Sequence, residues 1–147
     1  MRTTTMLVLL ALLGACAEPD RRITRYSDDG LFELSLEADE NRVRPGGELP
    51  VLVRFEYLGP PLAEERVEEI ELVANNGSLS ESRLLAIFSA APSGTDERPA
   101  PFRQWVVFSA STRLLPVEQG EVRALWNDVQ AVLKIRVSDD PADLLDE

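Results

Sequence analysis

The chain has 147 residues, 44% of them hydrophobic and 28% charged, which suits one globular domain. Its formal charge of -11 disfavours nucleic-acid binding, which works by displacing counterions from phosphates. Histidine is absent and cysteine occurs once, which excludes Ser-His-Asp and Cys-His nucleophiles, an intrachain disulfide, and zinc held by His and Cys ligands.

In chain order, the first element is MRTTTMLVLLALLGAC, where Arg2 precedes an uncharged, Leu-rich run over 6–15. A helix that crosses a bilayer needs about 20 apolar residues, so this run reads as the apolar region of a signal peptide and not as a membrane span. It ends in Leu13-Gly14-Ala15-Cys16, and Cys16 is the only cysteine. An aliphatic residue and two small ones before a cysteine resemble the lipobox of bacterial lipoproteins. The resemblance implies cleavage between Ala15 and Cys16, lipid attached to the Cys16 thiol, and further acylation of the new amino group. Acyl chains contribute about 0.8 kcal/mol per buried methylene, so such an anchor holds without a transmembrane helix. Ala17, where an Asp would favour inner-membrane retention, implies by the same resemblance a place in the outer membrane. Loss of Arg2 on cleavage would leave the mature chain one unit more negative.

The expected organisation is a signal peptide over 1–15, a lipidated N-terminus and flexible linker over 16–30, one domain over 31–138, and an acidic flexible tail over 139–147. The linker reads AEPDRRITRYSDDG after Cys16: polar, without periodicity, and broken by Pro and Asp. Within the domain the recurring signal is period two. In LFELSLEA, Phe32, Leu34, Leu36 and Ala38 share one face. After the turn Pro45-Gly46-Gly47, Val51, Val53, Phe55 and Tyr57 alternate with Leu52, Arg54 and Glu56. Residues 62–69 also fit helical spacing through Ala63, Val67 and Ile70, so a loop or one helical turn is expected, then a strand with Ile70, Leu72 and Ala74 inward. Asn75-Asn76-Gly77 predicts a turn, with Gly77 tolerating positive φ.

A strand over about 83–89 and a long polar connection lead to FRQWVVFSA, where Phe102, Val106 and Phe108 alternate with Arg103, Trp105 and Val107. The last pair predicts its own register. A two-residue loop at Asn127-Asp128 sets Trp126 against Val129, Ala124 against Ala131 and Val122 against Leu133 on one apolar face. On the other face it sets Arg123 against Val132 and Glu121 against Lys134, placing opposite charges side by side.

About seven short strands, frequent turn signals and no useful amphipathic helix predict an all-β fold, a single antiparallel β-sandwich. Val43-Arg44-Pro45-Gly46-Gly47-Glu48-Leu49 resembles the opening of bacterial immunoglobulin-like domains of envelope and adhesion proteins. IELVANNGSLS over 70–80 and GEVRALWNDVQAVLKIRV over 120–137 resemble later parts of the same pattern. The resemblance implies an immunoglobulin-like sandwich across most of 31–137.

No catalytic residue is assigned. Serine and threonine have no histidine base, and Lys134, the single lysine, is expected to pair with Glu121. Glu64-Glu65 and Glu68-Glu69 form the densest acidic cluster, which reads as a solvated face and not as the paired carboxylates of a glycosidase. Asp28-Asp29, Asp96-Glu97 and Asp139-Asp140 should fall at the ends of the sandwich, but no calcium-loop spacing accompanies them, so no metal or other cofactor is assigned. Trp126 is expected in the core. Trp105, with Val107, could form an exposed apolar patch suited to a partner protein. The functional expectation is an outer-membrane lipoprotein, anchored by lipid, that presents a non-catalytic binding or assembly module to an envelope protein partner. The alternatives are an accessory subunit of a secretion or envelope machine and a carboxylate-dependent cell-wall hydrolase.

Overall fold

Alternating burial marks the strands of the computed structural model, which describes residues 20–112 and 119–139. Ten strands form: β1 (Arg22–Tyr26), β2 (Phe32–Glu37), β3 (Arg42–Val43), β4 (Glu48–Tyr57), β5 (Arg66–Asn75), β6 (Gly77–Leu79), β7 (Arg83–Phe88), β8 (Phe102–Ala110), β9 (Gln119–Trp126) and β10 (Val129–Val137). They make two five-stranded sheets, β1-β2-β4-β8-β6 (sheet A) and β3-β10-β9-β5-β7 (sheet B). Every pairing is antiparallel except the two-residue contact of β3 with β10. The fold is an all-β sandwich, and no helix occurs among the described residues. Ala15, Cys16 and 140–147 lie outside those residues.

The predicted hairpin register holds at every pair named above, from Trp126 against Val129 to Glu121 against Lys134. The inward faces of β2 and β4 are also as expected, with Phe32, Leu34, Leu36, Val51, Val53 and Phe55 all buried. Ile70, Leu72, Phe88, Val106, Phe108, Val122, Ala124, Leu133 and Ile135 meet them from the remaining strands in one continuous core.

Three strands exceed the expected seven, and each has a physical reason for being inconspicuous. β1 falls inside the expected linker 16–30. Its sequence RITRY has no apolar alternation, and it is held by backbone pairing to β2 with only Ile23 packed on the core. β3 has two residues and β6 has three. The helical spacing over 62–69 is not realised: 58–65 is a connection, and β5 already starts at Arg66. Its first inward positions are polar, Arg66 and Glu68, while Val67 faces outward, so the alternation there is inverted.

The turn after Asn75 also differs in detail. Asn76, at φ 54°, takes the left-handed conformation, not Gly77. Gly77 instead opens β6, where a Cβ would sit 2.5 Å from both the Phe108 ring and the Ser109 carbonyl oxygen. Gly46, at φ 74°, supplies the predicted turn between β3 and β4, and its N–H donates to the Ala110 carbonyl at 3.2 Å.

Gly77→Ala is expected to destabilise the fold by about 1–3 kcal/mol through overpacking. Gly94, also at positive φ, has nothing within 4 Å of its would-be Cβ. Gly94→Ala should therefore cost less, about 1 kcal/mol, from backbone conformation alone. Urea denaturation of both variants measures the difference.

Candidate functional site

The strand directions divide the molecule into two ends. One end gathers the connections 27–31, 58–65 and 89–101 and the 127–128 turn; at the other lie Asp20 and Asp139, the first and last described residues. At the loop end five aromatic rings close the core. Phe32 stacks on Phe55 at 5.1 Å, Trp126 tilts against Phe32 at 4.5 Å, and Tyr57 and Phe88 complete the group. Trp126 is buried, as expected.

The two inward polar residues of β5 finish this end. Trp126 Nε1–H donates to Glu68 Oε2 at 2.8 Å. Arg66 Nε–H donates to the other oxygen of the same carboxylate. The Arg66 guanidinium carbon lies 4.7 Å from the Phe32 ring centre, within cation–π range. Glu68 therefore satisfies an indole N–H and a guanidinium at once, where a buried unpaired donor would be costly. A tryptophan at the end of a predicted core strand is the one sequence signal for this, since its N–H must find an acceptor.

Three of the expected acidic groups, Asp29, Glu68 and Glu69, are engaged in structure. Asp28, Asp29, Asp96 and Glu97 fall at the loop end, and Asp139 at the opposite one. Ser27 Oγ donates to Asp29 Oδ1 at 2.6 Å, and Leu31 N–H donates to the same oxygen at 3.0 Å, tying the β1–β2 turn together. These two hydrogen bonds lower the Asp29 pKa below the usual carboxylate value. In the Glu64–Glu69 cluster, Glu68 holds Trp126 and Arg66, and Glu69 pairs with Arg83 at 2.9 Å. No group of three or more metal-ligating side chains gathers among the described residues.

Glu121 and Lys134 are cross-strand neighbours, but the closer partner of Glu121 is Arg123, two residues along the same strand, at 2.8 Å. Hydrogen bonding to Arg123 is the main cause that lowers the Glu121 pKa; Asn75 adds to it, and the charge of Lys134 acts more weakly. Arg123 stands two residues from Glu121 on the same face of β9.

The predicted contact residues lie on the outer face of sheet A. Trp105 is 55% exposed, opposite Leu52 in the register, and Val107 is half-buried opposite Pro50. Val107 is pinned by Ser80, whose Oγ accepts its N–H at 2.9 Å and whose N–H donates to its carbonyl at 3.0 Å. One row along, Arg103 stands opposite Arg54, which reaches Glu56 at 2.8 Å and Glu33 at 3.3 Å. The result is a rigid aromatic plate with apolar neighbours, bordered by guanidinium groups. Such an arrangement can bury an apolar side chain and hydrogen-bond acceptors of a partner.

No protein-family model matches this chain, and no curated protein is similar to it.

Glu68→Ala should destabilise the fold by about 1–3 kcal/mol, because two donors lose their acceptor. Chemical denaturation followed by tryptophan fluorescence measures it. Asp29 and Glu121 have folded-state pKa values below their unfolded ones. Their stabilisation is therefore present above the unfolded carboxylate pKa and is lost as pH falls through the lowered folded value. Asp29→Asn and Glu121→Gln are each expected to flatten the loss of stability below about pH 4 in acid titrations.

Proposed function

We propose that this chain is a lipid-anchored protein of the bacterial outer membrane that presents one immunoglobulin-like sandwich as a non-catalytic binding module to another envelope protein. The anchor is carried by Cys16, with cleavage between Ala15 and Cys16. The support for it is the sole cysteine standing after Leu13-Gly14-Ala15 at the end of a short apolar run. Within the sandwich class, the immunoglobulin-like assignment rests on the Val43-Arg44-Pro45-Gly46-Gly47 opening and on the closing hairpin.

β1 gives the reading a geometry. It starts at Arg22, so only residues 17–21 separate the lipidated position from the folded body. They reach at most about 17 Å when extended. The body is then held close to the membrane. Trp105 is the observation that carries the binding reading: a large aromatic ring left 55% exposed on an ordered strand, among shorter side chains that do not cover it. Trp105 and Val107 form the contact, with Arg103 at its border.

Metabolic labelling with radioactive palmitate should mark the wild-type protein and not the Cys16→Ser variant, which should also leave the membrane fraction. Trp105→Ala is expected to keep the label and the fold while losing a stoichiometric partner in crosslinking of intact cells. An unlabelled wild-type chain would overturn the anchor, and a partner retained at full yield by Trp105→Ala would overturn the contact.

A further inference from the structure

The most exposed apolar side chains of sheet B are not scattered. Leu85 (58% exposed) and Ile87 (56%) lie on β7, and Val67 (52%) is the register partner of Ile87 on β5. β7 is the last strand of sheet B. Leu72 N–H donates to the Ser82 carbonyl at 2.8 Å, and the register carries that parity forward, so even-numbered residues of β7 bond to β5. Arg83, Leu85 and Ile87 therefore aim their backbone N–H and C=O groups out of the sheet. Beyond Arg83 the strand reads LLAIF, with no charge, proline or glycine.

The other edges are guarded in the ways that natural sheets use. β1 carries Arg22 and Arg25; β3 is two residues long, and the part of β10 beyond it carries Lys134. The part of β8 that extends beyond β6 carries Arg103 and Gln104, and it follows Pro99 and Pro101. Among the described residues, β7 is the terminal strand whose outward side chains beyond Arg83 are uncharged and apolar.

We propose that β7 is a self-association edge at which two copies of this chain pair antiparallel and join their B sheets into one ten-stranded sheet. A two-fold axis between the two Ala86 residues gives the matching register. Leu85 of each copy then stands opposite Ile87 of the other, on the outer face and beside both Val67 side chains. Arg83, which pairs with Glu69 of its own chain, stands opposite Ser89, next to the 58–65 connection of the other copy with its Glu64 and Glu65. Moving the axis to Leu85 would instead set Arg83 against Ile87, so the apolar and charged positions choose the first register. The axis is normal to the sheet, which keeps both A sheets on one side of the dimer. The same axis reverses strand direction, so the Asp20 ends of the two copies point opposite ways, and the pairing does not depend on the lipid anchors. Each chain carries a net charge of -11, so salt screens the repulsion between copies and tightens the pair.

The test is sedimentation equilibrium on the full chain with Cys16→Ser, in density-matched detergent. The expected result is a dimer whose dissociation constant falls as salt is raised. Leu85→Lys and Ile87→Lys should each weaken it by roughly 100-fold or more with circular dichroism unchanged. Val73→Lys, on the same face but away from the edge, should leave it intact. A chain that stays monomeric up to its solubility limit overturns the proposal and leaves the edge to a strand of another protein. A dimer that survives both lysine substitutions at the edge overturns it equally.

Discussion

From β2 to β9 the chain changes sheet at every connection, so neighbours in sequence are held together across the core and not by backbone pairing. Only β1–β2 and β9–β10 are local hairpins. Each sheet is therefore stitched from distant segments, and the packing of inward side chains between the sheets is the interaction on which everything else depends. With a single cysteine in the chain, no intrachain disulfide assists it. The loop-closure entropy of so many long-range pairings must be met before the core rewards it, which makes this a topology of slow folding.

The two ends of that core are finished differently. At the loop end the space between the sheets is filled by Phe32, Phe55, Tyr57, Phe88 and Trp126. The closure is polar: Glu68 and Arg66 turn inward on β5, satisfy the indole N–H and cover the Phe32 ring. The polar side of the closure displaces Val67 to the surface, since consecutive strand residues face opposite ways. The exposed Val67 beside Ile87 is thus a consequence of how the core is sealed, and it widens the apolar strip along the β7 edge.

The flanks are unequal as well. On one, β1 brings arginines to the edge of sheet A and contacts β10 across the sandwich. On the other, β7 and the first half of β8 end their sheets without a neighbour, one apolar and one polar. Trp105 lies on the outer face of β8, away from the β7 strip, so the two exposed apolar regions belong to different sheets and can serve different contacts.

Local periodicity carried much of this in the amino-acid order alone. The register of β9 with β10 was readable because a two-residue loop and two alternating runs leave one arrangement in which apolar residues share a face and Lys134 meets Glu121. The inward faces of β2 and β4 and the burial of Trp126 followed from the same period of two, which set Trp105 on the face opposite Phe102, Val106 and Phe108 and left its exposure to the tertiary structure. β1, β3 and β6 were not readable, because they are kept by backbone hydrogen bonds to strands that already exist and need no apolar pattern of their own. Nor was the start of β5, where the inward positions are an arginine and a glutamate whose partners come from other strands. Only the tertiary structure decided which strands became edges, which carboxylate received the Trp126 proton donor, and that Arg123 rather than Lys134 holds Glu121 most closely. Those outcomes depend on distances between residues far apart in the chain, and an alternating pattern specifies a face but not its neighbour.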